Sequence, residues 1–155
     1  METLAQLSLE EAVKLGAIDS EFFNRTFFPK TARQASPPLH KQIDALLDDP
    51  RYPLINLQCF RGSAKTTKLR LYLAKRVAYR MSSTVIFVGG NETSAARSVR
   101  WLRRQVEVNK LYANTFGLTK GDKWTDTELE VRCSLDGTST YILAVGILGN
   151  LRGIN

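Results

Sequence analysis

The chain is poor in the residues that staple or stiffen small folds. Its 155 residues include two cysteines, five prolines and one histidine. Cys59 and Cys133 stand far apart, without the clustered Cys/His spacing of a zinc site. That excludes a disulfide miniprotein and makes a reducing intracellular compartment the simpler expectation. Long apolar runs are also missing. The longest uncharged stretch, residues 137–151, contains polar residues and glycines and falls short of the roughly 20 apolar residues that a bilayer span needs. The opening METLAQLSLEEAVK is too acidic for a signal or transit peptide. What is present, 43% apolar and 24% charged residues, belongs to a globular chain rather than a disordered or collagen-like one.

Acids are scarce in one region. Between Arg61 and Arg104 eleven basic side chains face a single acid, Glu92. The overall charge of +7 therefore divides unevenly: residues 1–50 carry five basic groups against eight acids, net −3, and the remainder carries 17 against seven, net +10. Such asymmetry suggests a polyanionic partner, either nucleotide phosphate or nucleic acid.

The acidic first third reads as helices. Ser8 and Glu11 form a capping box for a helix to about Leu15, which Gly16 is placed to stop. A second helix is expected over residues 20–27, then a loop. A third follows with Ser36 as N-cap, Pro37 at its first position, and Leu39, Ile43, Leu46 and Leu47 at helical spacing. Beyond it the pattern changes to a short apolar strand over 54–60, a basic helix over 65–81, an apolar strand over 84–88, a helix over 93–108 and a shorter helical piece towards Phe116. Strand, helix, strand, helix at this spacing argues for a right-handed parallel α/β unit. Leu129, Val131, Cys133 and Leu135 then alternate with polar residues as in a half-exposed strand. Asp136-Gly137 marks a turn, and residues 141–147 read as a strand apolar on both faces.

Cys59-Phe60-Arg61-Gly62-Ser63-Ala64-Lys65-Thr66-Thr67 joins the expected first strand to the basic helix. A phosphate-cradling loop requires that setting, because backbone N–H groups and the helix dipole then face the anion. Lys65 would reach the terminal phosphates and Thr66 would hold Mg²⁺ through its hydroxyl. The standard G-x-x-x-x-G-K-[ST] is not met, since Cys59 and Ala64 replace its two glycines. The methyl of Ala64 is tolerable there if its φ is negative.

With these residues in place the sequence resembles the large, motor subunit of tailed-phage terminases. That family's Walker A loops commonly carry an Arg four residues before the Lys, as Arg61 does here. The likeness continues in His40-Lys41-Gln42-Ile43, in residues 84–95, in Lys123-Trp124-Thr125 and in the Leu151-Arg152-Gly153 stretch. It spans roughly residues 25–155. It implies a P-loop NTPase of the RecA/ASCE type, a parallel sheet flanked by helices, with a helical N-terminal segment (1–50) and an ATPase portion (51–155). It further implies ATP and Mg²⁺ as cofactors, contacts from Arg61, Gly62, Ser63, Ala64, Lys65, Thr66 and Thr67, and Gln42 as the adenine-reading residue. Arg61 and Lys65 would be catalytic, Arg61 as an arginine finger in cis. The implied partners are double-stranded DNA, a portal protein, a small terminase subunit and further copies of the chain, in the host cytoplasm.

Plainer readings stand beside these. A Gln on a helix is commonly solvated, a loop Arg commonly makes a local salt bridge, and His40, with no nucleophile beside it, reads as a surface residue. On the 93–108 helix Ala95, Val99, Leu102 and Val106 share one face, while Arg97, Arg100 and Arg104 gather opposite, flanked by Trp101 and Arg103. That basic face suits DNA phosphates or a neighbouring subunit, and equally suits solvent. Trp124 reads as a core anchor beside the hairpin.

One expected element is missing. A P-loop ATPase needs an apolar strand ending in Asp to hold Mg²⁺ through water, usually followed by a carboxylate that orients the attacking water. Residues 84–88 run into Gly-Gly and residues 141–147 into Leu-Gly-Asn-Leu-Arg-Gly. By the resemblance, the chain ends before the Walker B strand and lacks the C-terminal nuclease domain. The sheet is then expected to be incomplete, and the isolated chain to bind ATP and hydrolyse it poorly. A helicase-like motor fragment and a non-catalytic nucleotide- or DNA-binding module are the alternatives.

Overall fold

A computed structural model describes residues 7–147. The Leu151-Arg152-Gly153 stretch lies outside them. The described residues form an α/β protein with a four-stranded mixed sheet flanked by helices. The chain divides into two compact units, Met1–Lys75 and Arg76–Asn155.

In the first unit, α1 (Leu9–Ile18) starts at the expected capping box, with Ser8 Oγ accepting from Glu11 N and the Glu11 carboxylate accepting from Ser8 N. Gly16 does not stop this helix. It is buried inside it, and Asp19 both ends α1 and caps α2 (Ser20–Phe27) by accepting from Phe22 N. Phe23, Phe27 and Phe28 are buried against one another, with ring centroids 5.2 and 5.7 Å apart. Each such ring contributes roughly 1.5–3 kcal/mol by leaving water. α3 (Pro38–Asp48) begins one residue later than expected, with Pro37 in the capping position and Pro38 in its first turn. Ser36 instead donates its N–H to Glu21, which holds the carboxyl of Glu21 below its ordinary range.

The expected strand over 54–60 does not form. Ile55, Leu57 and Cys59 are half-buried and their neighbours exposed, so the alternation of a strand survives, but no described strand offers it a ladder. Extended backbone without cross-strand hydrogen bonds is not a strand. α4 (Lys65–Ala78) follows and crosses the boundary between the units. It ends three residues earlier than expected, because Arg80 takes the left-handed φ of 53° and Met81 N donates back to Arg76 O.

The second unit holds β1 (Thr84–Gly89), α5 (Glu92–Val108), α6 (Lys110–Thr115), β2 (Leu118–Trp124), β3 (Glu128–Cys133) and β4 (Ser139–Gly146). The sheet order is β1-β4-β3-β2. Only β1 and β4 are parallel, in register from Thr84 opposite Tyr141 to Gly89 opposite Gly146; the other two pairs are antiparallel. The expected parallel sheet is thus mixed. Its second half is a meander, because short connections between β2, β3 and β4 can join only antiparallel neighbours.

α5 packs on β1 and β4 through Ala95, Val99 and Leu102, all fully buried, with Val106 nearly so, the face its periodicity predicts. The seat is close at the strand ends. A Cβ on Gly89 would lie 2.7 Å from Ala95 N, and one on Gly146 2.7 Å from Glu92 N, so both strands need glycine there. Leu135 is exposed in the turn rather than continuing β3. β2 has no alternation to announce it. It is fastened by Glu130, which accepts from Asp122 N, Ser139 Oγ and Arg132 and is thereby held down at about 2.

Candidate phosphate-binding loop

The loop before α4 carries two left-handed residues, Gly62 at φ 87° and Ala64 at φ 56°. The condition under which the Ala64 methyl is easily tolerated, a negative φ, is not met. Ala64 sits in the conformation for which the standard loop uses glycine, at a cost of roughly 1–2 kcal/mol for an L-residue. The Ala64 carbonyl accepts the first helical bond, from Lys68 N at 3.0 Å. The N–H groups of Lys65, Thr66 and Thr67 therefore precede any intrahelical acceptor and face outward from the helix end.

Lys65 folds back over the loop it follows. Its ammonium donates to Cys59 O at 2.8 Å, Phe60 O at 2.9 Å and Ser63 Oγ at 3.2 Å, which uses its three donors. Ser63 is buried, and its N–H donates to Phe60 O. Gly62, Arg61 and Thr66 are exposed, and Arg61 forms no ion pair among the described residues. The local salt bridge open to Arg61 on sequence grounds is therefore not made, and its guanidinium stays available beside the loop.

His40 is no bystander. Its Nε2 lies 2.9 Å from Ser63 O, so this α3 residue touches the loop. The same face of α3 is tied to α4 by two further pairs. Asp44, buried, meets the buried Lys68, and Asp48 accepts from the buried Lys75 at 3.1 Å, with Ser20 Oγ shared between them. Burial pushes the Asp44 carboxyl up, although Lys68 opposes the shift.

A cavity of about 380 Å³ opens beside the loop, lined by Ala64, Thr67, Lys68 and His40 and by residues of the 30–37 segment, among them Arg33 and Gln34. Gln42 does not line it; it is exposed on α3. Two residues on from His40 it lies about 200° round the helix from the face that meets α4. Gln34, an amide of the same chemistry, is in the wall instead. A larger hollow of about 670 Å³ lies along α1 and α2 and includes no loop residue.

In the second unit the basic face of α5 is partly spent. Arg100 and Arg103 both hold Asp126, at 2.8 and 2.6 Å, and Trp124 Nε1 donates to Glu107, so these groups dock the β2–β3 turn on α5. Trp124 is half-buried, a clasp more than a core anchor. Arg97 and Arg104 are exposed and form no ion pair among the described residues; Trp101 is half-buried. No described group of three or more His, Cys, Asp or Glu side chains is arranged to hold a metal ion, and no described helix is long and apolar enough to cross a membrane.

By fold and site, then, the chain is a mixed α/β protein with a strained, lysine-closed loop at a helix start. Family models, curated proteins and solved structures contain no match to it. The loop geometry gives one direct expectation. Ala64→Gly relieves the left-handed strain and raises stability by about 1 kcal/mol in chemical denaturation; equal or lower stability would show that the loop does not hold this conformation.

Proposed function

We propose that this chain is the ATP-binding part of a viral DNA-packaging motor, the large subunit of a tailed-phage terminase, which couples ATP hydrolysis to moving double-stranded DNA into a procapsid. The observation that carries the reading is the loop before α4: Gly62 and Ala64 turned left-handed, Lys65 closing over Cys59 and Phe60, and free helix-start amides behind them. Phosphate would replace those carbonyls as the partner of Lys65. The adjacent 380 Å³ cavity has the size and the amide to take the base, with Gln34 rather than Gln42 as the reader. Arg61, exposed at the loop, would meet charge developing on the γ-phosphate.

Mg²⁺ fits in a limited way. Thr66, at the second position of α4, offers one hydroxyl oxygen, and phosphate and water would complete the shell, as this hard cation commonly arranges. Held there by the Thr66 hydroxyl, such an ion would supply positive charge that offsets the negative charge of the phosphates. The chain's own acids contribute little: β1 ends at Gly89 and β4 at Gly146, and neither delivers a carboxylate. The chain alone therefore binds ATP and turns it over poorly. That same observation favours the second reading, a nucleotide- or DNA-binding module without catalysis of its own; rapid turnover by the purified chain would count against both. A portal, a small terminase subunit and further copies of the chain are the partners this proposal carries, in the host cytoplasm.

Two measurements test it. Lys65→Ala should lower the affinity for a fluorescent ATP analogue at least 100-fold while the far-UV spectrum is kept; unchanged affinity would end the assignment. For DNA, the unpaired Arg97 and Arg104 are the contacts expected to act on phosphate, since Arg100 is held by Asp126. Replacing both by Ala should reduce the slope of log affinity for duplex DNA against log salt by about 2. An unaltered slope would leave α5 a solvated face.

A further inference from the structure

We propose that His40 is a positioning residue for the phosphate loop, an inference that rests on the ATP-binding reading above. Its ring nitrogen Nε2 lies 2.9 Å from the carbonyl oxygen of Ser63. A carbonyl only accepts, so Nε2 must carry the proton. The peptide that joins Ser63 to Ala64 is trans and planar, and its C=O and N–H point opposite ways. Pinning the Ser63 oxygen to His40 therefore turns the Ala64 N–H away from the histidine. The same peptide enters the residue held at φ 56°. A left-handed alanine relaxes unless something outside the loop fixes the plane before it, and His40 is placed to do so.

The histidine itself is held from α3. His40, Asp44 and Asp48 recur every four residues and share one face of that helix. Asp44 pairs with Lys68 and Asp48 with Lys75, so the face is locked to α4 at two points and His40 is the third, one turn nearer the loop. Ser63 is gripped at all three of its polar groups, the hydroxyl by Lys65, the carbonyl by His40 and the N–H by Phe60 O. When phosphate draws Lys65 away, the His40 bond still fixes the Ser63 carbonyl from outside the loop, and with it the plane of the peptide that enters Ala64. His40 touches no reacting atom in this scheme; it acts through the backbone of Ser63 and Ala64.

The test compares His40→Phe, which keeps a ring and removes the donor, with His40→Gln, whose amide nitrogen reaches about as far as Nε2. In the free chain, nitrogen shifts of the imidazole should report the Nε2–H tautomer at neutral pH. The amide resonances of residues 62–65 should move or broaden in His40→Phe and return towards wild type in His40→Gln. Affinity for a fluorescent ATP analogue should fall about 5- to 10-fold in the Phe variant, the worth of one hydrogen bond, and stay within about twofold in the Gln variant. Unmoved loop amides in the Phe variant, or a Gln variant no better than Phe, would overturn the proposal. If the wild-type chain binds no nucleotide while the amides respond as expected, the ATP reading fails and the positioning role stands.

Discussion

Two buried lysines on α4, Lys68 and Lys75, and the two aspartates on α3 that meet them set the geometry on which the site depends. A buried ammonium without a partner is costly, and removing one member of such a pair typically costs about 3–5 kcal/mol, whereas replacing both by apolar groups is often neutral. The pairs are thus weak arguments for net stability and strong ones for register. Sliding α3 by one turn along α4 would leave charges buried and unmatched. In the register adopted, His40 arrives at Ser63 and the 30–37 segment forms a wall beside Ala64 and Thr67. Loop, histidine and cavity follow from one constraint.

That constraint explains which parts of the site could be read ahead of the fold. Gly62 and Lys65 announce themselves through local chemistry, a turn residue and a cation at a helix start. The role of His40 has no local signature; it emerges only when Asp44 and Asp48 are seen on the same stripe and matched to lysines seven residues apart on α4. Gln42 suggests an adenine reader by spacing along the chain. Helical phase places it well off the stripe that meets α4, exposed and outside the wall of the cavity beside the loop. Gln34 could have been noticed as the amide in a polar run directly ahead of Pro37-Pro38, although nothing in that run says which side chain lines a cavity.

The elements show the same division between local and distant causes. The helices were legible because their caps and apolar faces are encoded within them, as the Ser8–Glu11 capping box of α1 and the buried Ala95, Val99 and Leu102 of α5 illustrate. Gly16 misleads because a glycine ends a helix by turning left-handed at its C-terminus, and here it keeps a negative φ and is buried within α1. Residues 54–60 carry the alternation of a strand, but strands are made by partners, and none is at hand among the described residues. β2 is the converse case. LTKGDKW has no pattern of its own and becomes a strand because β3 pairs with it, its bulge held by Glu130 on Asp122 N and its Gly121 lying where a Cβ would meet the Glu130 side chain at 2.6 Å.

The central claim is that the loop before α4 is built to hold a triphosphate. A crystal structure of the chain grown with Mg²⁺ and a non-hydrolysable ATP analogue tests it most directly. The account predicts phosphate oxygens within hydrogen-bond distance of Lys65 Nζ and the backbone amides of residues 62–66, with the base in the cavity walled by Gln34. Nucleotide bound elsewhere, or a loop whose Lys65 still caps Cys59 and Phe60 at saturating analogue, would contradict it.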